Sequence, residues 1–103
     1  MKNLQNIAGV LASISDPEEM QSFLNEILTK TEQEALSLRW QLLKLLDDGV
    51  SQRTIARQLG VSLCKITRGA KILKQPDSLT RKFLQEPEIQ EPEVQEERQS
   101  SEV

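Results

Sequence analysis

The 103-residue sequence contains no histidine and a single cysteine, Cys64. One thiol cannot close an internal disulfide, and such sparing use of cysteine fits a soluble protein of a reducing cytoplasm. With no histidine there is no zinc-ligand set, no serine–histidine or cysteine–histidine pair and no imidazole base. The four glycines are dispersed, so no glycine-rich phosphate loop is formed. No signal peptide or long apolar run is seen, which argues against export and against a membrane span. Carboxylate chemistry has one candidate pair, Asp47 and Asp48, but with Gly49 behind it this reads as a helix end. The chain is therefore not expected to be an enzyme or to carry a metal or a cofactor.

What is present is a patterned stretch from Ser51 to Lys74, SQRTIARQLGVSLCKITRGAKILK. Ser51 is placed to cap a helix with Ile55 and Leu59 on its apolar side, and Gly60 stops that helix. Ser62 is placed to cap a second helix in which Leu63, Ile66, Ala70 and Leu73 share one stripe. Taking Leu63 as the centre of the inner side and about 100° per residue, Arg68, Ile72 and Lys65 lie opposite, with Cys64 and Lys71 to one side. Cys64 itself reads as a small space-filling residue. This is the layout of a helix-turn-helix, residues 51–74, with a basic outer face.

The formal net charge of -3 conceals two unlike parts. Between Ser51 and Lys82 stand eight basic residues, Arg53, Arg57, Lys65, Arg68, Lys71, Lys74, Arg81 and Lys82, against one acidic residue, Asp77. A phosphate backbone is the natural counterpart of such a cluster. The plain alternative is a solvated helical hairpin with ordinary surface lysines. Cap, turn glycine, apolar stripe and charge all favour the former.

Elsewhere the pattern is also helical. Leu4, Ile7, Ala8, Leu11 and Ile14 share a face that needs a partner surface, because Gly9 weakens the helix on its own. Asp16-Pro17-Glu18-Glu19 starts a second helix through Met20, Phe23, Leu24, Ile27 and Leu28, expected to end near Thr29 or Lys30. Thr31 to Glu34 has the spacing of a capping box and opens a third helix, Ala35 to Leu46. Its leucines and Trp40 cover an arc of about 220°, wider than one packed side requires, and in a short chain the economical second surface is another copy. After Pro76-Asp77, Leu79, Phe83 and Leu84 can dock a last short helix.

Two residues stand apart from this pattern. Arg39 projects a permanent cation from the apolar arc of the third helix; it either reaches water or a glutamate, or lies over a flat aromatic ligand bearing a carboxylate. Ile72 is an apolar side chain on the basic side, suited to a thymine methyl, to covering a pocket, or simply to exposure. The chain thus divides into a helical domain, 1–86, and an acidic tail, 87–103, with the near-repeat EPEIQ, EPEVQ and an expectation of disorder.

The run LTKTEQEAL, an arginine in the next turn, SQRTIARQLG, and ITRG at Ile66 to Gly69 followed by Leu73-Lys74 together resemble the tryptophan-operon repressors of bacteria, over about Leu28 to Glu86. The resemblance implies an all-α fold of five to six short helices in an intertwined homodimer. That dimer would bind L-tryptophan as corepressor and then the operator DNA of tryptophan biosynthesis or salvage genes, blocking transcription initiation. Carried over by residue, Arg39 and Arg68 would flank the indole, with Arg68 and Thr29 near the carboxylate, Gly69 giving close approach and Ile72 beside the ligand. Gln52, Arg53, Ser62, Lys65, Thr67, Lys71 and Lys74 would meet DNA. The chain departs from the family in Ile72 where a serine normally helps hold the ligand amino group, in Lys65 for a threonine, in Glu26 for a leucine, and in a shorter first helix and a shorter turn before Ser51. Two other readings compete: a repressor of the same fold that ignores tryptophan, and a helical protein-interaction module in which the acidic tail carries the function.

Overall fold

The computed structural model describes residues 2–86 and is all-helical over them. Six helices follow one another: α1, Lys2–Ser13; α2, Pro17–Ile27; α3, Lys30–Asp47; α4, Gln52–Leu59; α5, Leu63–Lys74; and α6, Leu79–Leu84. The acidic tail expected at 87–103 lies outside the described residues. Contacts fall into two units, Met1–Arg39 and Trp40–Val103, with the boundary inside α3.

In the first unit local signals set the helix ends. Asp16 caps α2, its Oδ2 accepting from Glu19 N at 3.2 Å, and Pro17 occupies the first turn, where a missing N–H costs nothing. The helix ends at Ile27, earlier than the sequence suggests, because the next cap lies two residues upstream of the expected one. Thr29, not Thr31, closes the capping box: Glu32 N donates to Thr29 Oγ1 at 3.1 Å and Thr29 N donates to Glu32 Oε1 at 2.8 Å. Both threonines have a glutamate three residues on, so spacing cannot separate them. Gln33 does, since its Nε2 reaches back to Leu28 O at 3.0 Å, a bond that Ala35 could not supply one register later. No residue of α1 or α2 is buried, and Leu4 and Ile27 are 60% and 47% exposed.

The second unit holds the core. Leu42 and Leu43 from α3, Ile55 from α4 and Ile66 from α5 are buried, the two isoleucines completely. Leu45, Leu46, Val50, Leu59, Val61, Leu73 and Leu84 pack against them. At the end of α3, Gly49 takes φ +89° while Gly49 N donates to Leu46 O and Val50 N donates to Leu45 O, both at 3.0 Å. That pair of bonds satisfies the last carbonyls and turns the chain sharply, so Asp47 and Asp48 are indeed a helix end. Ser51 then caps α4, Gly60 (φ +68°) closes it in the left-handed region, and Ser62 caps α5.

The inner side of α5 is not centred where the sequence pattern puts it. Ile66 and Gly69 are buried and Leu73 and Ala70 half-buried, but Leu63 is 57% exposed. Leu63 is the first residue of the helix and sits at the margin of the stripe, so the α3 leucines do not cover it. Gly69 explains the new centre. A Cβ there would lie 2.8 Å from Leu42 Cδ2, 3.1 Å from Leu46 Cδ1 and 3.3 Å from Leu43 Cδ2. Glycine is what allows the α5 backbone to rest on three leucines at once.

Thr29→Ala should lower stability by about 1 kcal/mol, whereas Thr31→Ala should stay within about 0.5 kcal/mol; urea unfolding at one fixed protein concentration distinguishes them. Gly69→Ala gains helix propensity but crowds three side chains, and overpacking should win by about 1–2 kcal/mol, read as a lower urea midpoint.

Candidate nucleic-acid interface

With Ile66, Gly69 and Leu73 facing inward, the outer side of α5 follows from about 100° per residue. Cys64, Arg68 and Lys71 point most directly away from the core. Thr67 and Lys74 occupy one flank, and Lys65 and Ile72 the other. Ile72 is half-buried, and thus marginal where the sequence pattern had placed it opposite the core; Cys64 is exposed instead of filling space. The shift, about 90° from a centre at Leu63, comes from the displaced inner stripe.

Every candidate DNA-contacting residue is exposed: Gln52 and Arg53 in the first turn of α4, Ser62 before α5, and Lys65, Thr67, Lys71 and Lys74 along α5. They all belong to the second unit, where Ile55 and Ile66 fix α4 against α5. Ser62 Oγ accepts from Lys65 N at a long 3.4 Å, so the start of α5 is loosely capped and its hydroxyl remains available as a donor. Among the described residues Arg53, Arg57, Lys65, Arg68, Lys71 and Lys74 make no ion pair, which leaves six cations turned toward solvent.

The remaining two basic residues of the stretch behave differently. Lys82 Nζ lies 5.7 Å from the Phe83 ring centroid. Arg81 directs its guanidinium into the chain, Nη1 donating to Leu73 O at 2.7 Å and Nη2 to Pro76 O at 2.8 Å. Sequence counting placed Arg81 among the phosphate-facing cations. Bonds from an arginine to main-chain carbonyls leave no pattern in a sequence, so nothing there could have set it apart.

The candidate corepressor residues distribute over both units. In the first, Thr29 caps α3; its oxygen accepts from Glu32 N, and its own O–H is still free to donate. Arg39, also in the first unit, is exposed, and the buried part of α3 begins three residues later at Leu42, so the arginine does not project from a covered face. In the second, Arg68, Ile72 and Gly69 form one continuous strip along α5 between its outer and inner sides, separate from the flank that carries Thr67 and Lys74. Gly69 is accounted for by leucine packing alone. Among the described residues no His, Cys, Asp or Glu cluster could hold a metal ion, and no helix is long and apolar enough to cross a membrane.

A capped helix-turn-helix in an all-helical chain is a geometry that many regulators share, and comparison with known proteins narrows it. The family model described as Trp repressor protein matches residues 2–88. The chain is similar to a Trp operon repressor homolog of Chlamydia caviae, 36% identical over 74 residues that cover 71% of this chain and 73% of the relative. It is similar to one of Xylella fastidiosa at 40% identity over 76 residues, 73% and 80% of the two chains. One of Actinobacillus succinogenes is 45% identical over 58 residues, 55% and 57% of the two. No solved structure matches significantly. The matched range takes in all six helices together with the motif, and the chain therefore belongs to the Trp repressor family.

Proposed function

We propose that this chain is one subunit of a homodimeric, L-tryptophan-dependent transcriptional repressor that acts in the bacterial cytoplasm on the operator of tryptophan biosynthesis or salvage genes. The observation that carries the reading is the outer side of the helix-turn-helix, where six exposed cations that make no ion pair among the described residues lie on α4 and on an α5 seated through the buried Ile66. Helix-turn-helix proteins, Trp repressors among them, place the second helix in the major groove and bind half-sites about 34 Å apart through a two-fold dimer. Here Gln52, Arg53, Ser62, Lys65, Thr67, Lys71 and Lys74 would meet phosphates or base edges.

The dimer is supported by exposed apolar side chains. Leu4, Val10, Ile27 and Leu36 in the first unit, and Trp40, Leu79 and Phe83 in the second, are each more than a third exposed. A second copy supplies matching surface by symmetry. The corepressor would be held by Thr29, Arg39, Arg68, Gly69 and Ile72. Guanidinium planes suit the indole face, and a guanidinium fork suits the amino-acid carboxylate. Tryptophan raises DNA affinity only in so far as it binds the DNA-competent arrangement better than the alternatives.

One observation favours a second reading, a repressor of the same fold that does not sense tryptophan. Ile72 cannot accept from the ligand ammonium as a serine would, and losing a hydrogen bond to a charged group costs about 1.5–3 kcal/mol.

L-Tryptophan should tighten binding to a palindromic operator by about tenfold or more, within the roughly 5–150-fold usual for coupled sites, and Arg39→Ala should remove most of that gain while sparing ligand-free binding. Gel shifts with and without the amino acid read both, and calorimetric silence toward L-tryptophan with intact DNA binding selects the second reading. Lys74→Ala should weaken all duplexes alike and flatten the log–log salt dependence by about one unit for each phosphate that the side chain neutralises.

A further inference from the structure

Helix α5 ends at Lys74, and an α-helix leaves its last carbonyls without intrahelical partners. Ile72 O accepts from Gln75 N at a long 3.4 Å. Leu73 O is better served, by Arg81 Nη1 at 2.7 Å, while Arg81 Nη2 bonds Pro76 O in the segment that leaves the helix. The cation also sits at the negative end of the α5 dipole.

Arg81 is itself held at its root. It is the third residue of α6, and its amide donates to the cap Ser78 Oγ at 3.1 Å. Six residues are too few for a self-supporting helix, so α6 depends on outside contacts. Leu84 packs against the core, and Gln85 Nε2 donates to Asp47 Oδ1 at 3.2 Å, at the end of α3. α6 is thus a strap with one end on α3 and the other, through Arg81, on the last turn of α5.

We infer that Arg81 is a positioning residue for DNA reading: it meets no phosphate, but fixes the last turn of α5 and with it the orientation of Lys71 and Lys74. This rests on the DNA-binding reading above. The role requires arginine. Two carbonyls three residues apart are bridged by two nitrogens of one planar fork, whereas a lysine ammonium keeps the charge as a single point on a flexible stem. A phosphate contact, by contrast, survives replacement by lysine.

The test uses the full chain with saturating L-tryptophan and two duplexes, one selected by the wild-type protein from a randomised palindrome pool and one of random sequence. Arg81→Lys should keep the affinity for the random duplex and the salt slope, but lose about tenfold in preference for the selected duplex, as Arg81→Ala does. Amide exchange over residues 72–75 should accelerate by a similar factor, with Ile55 unchanged, which separates a freed helix end from general unfolding. Should Arg81→Ala fail to fold, Arg81→Lys and the exchange measurement decide alone. Wild-type preference and wild-type exchange in Arg81→Lys would overturn the inference. So would a salt slope reduced by about one unit in Arg81→Ala with preference unchanged, the signature of a phosphate contact. A wild-type chain without salt-dependent DNA binding would instead overturn the underlying reading.

Discussion

Ile55 and Ile66, one from each helix of the motif, are fully buried against Leu42 and Leu43 of α3, and the second unit is arranged around that contact. Two short helices have little stability alone, since nucleation fixes several residues for each hydrogen bond gained. Their geometry comes from the shared apolar platform. Gly69 sets how near α5 comes to that platform, because its missing Cβ leaves room for three leucine side chains. Once the inner side of α5 is defined by Ile66, Gly69 and Leu73, the direction of every other side chain on the helix follows. The basic outer face is therefore a consequence of packing, with the charges placed on whatever the core leaves outside.

Features that depend on a few neighbouring residues were legible in the sequence. Asp16-Pro17, Ser51, Gly60 and Ser62 all act where their patterns put them, because a cap or a left-handed turn is decided within four residues. Features settled by a competition were not. Thr29 and Thr31 offer the same spacing, and the side chain of Gln33, next to the capping-box glutamate, chose between them. Leu63 matched the apolar period of α5, yet a residue at a helix end is covered only if the neighbouring element extends that far. Arg81 was read by its charge, when its hydrogen bonds to Leu73 and Pro76 are what distinguish it. Thr29, Arg39, Arg68, Gly69 and Ile72 could not have been grouped from periodicity at all, and only the family resemblance joins them.

The first unit poses a different problem. Its helices carry clear apolar faces, yet none of their residues is buried. Burial of apolar surface is the main term available to offset chain entropy, so helices in this condition are stable only when something covers them. A two-fold copy is the simplest cover that a short chain can encode, because each substitution improving one surface improves its mate as well. A DNA-reading dimer needs the same symmetry, since two half-sites call for two identical heads. In the proposed dimer, stability and DNA reading would depend on protein concentration together.

The charge of the chain has to be read in the same local way. Six of the eight basic residues between Ser51 and Lys82 face solvent without an ion pair among the described residues, and Arg81 is spent on main-chain carbonyls. Counterion release rewards only cations that meet phosphates, so the charge count from Ser51 to Lys82 overstates the electrostatic reach of that stretch. On α5 the division is finer still. Thr67, Lys71 and Lys74 lie on one side of the outward direction, and Arg68, Ile72 and Gly69 form a strip on the other. In the proposed repressor an arginine shared between a ligand and a phosphate would serve each less well, and two separate strips would let one helix answer to both. Lys65 falls beside the second strip, but one turn nearer the start of α5, where a groove-bound helix presents its first residues to the bases. Position along the axis, as well as angle around it, thus sets what each cation on this helix can reach.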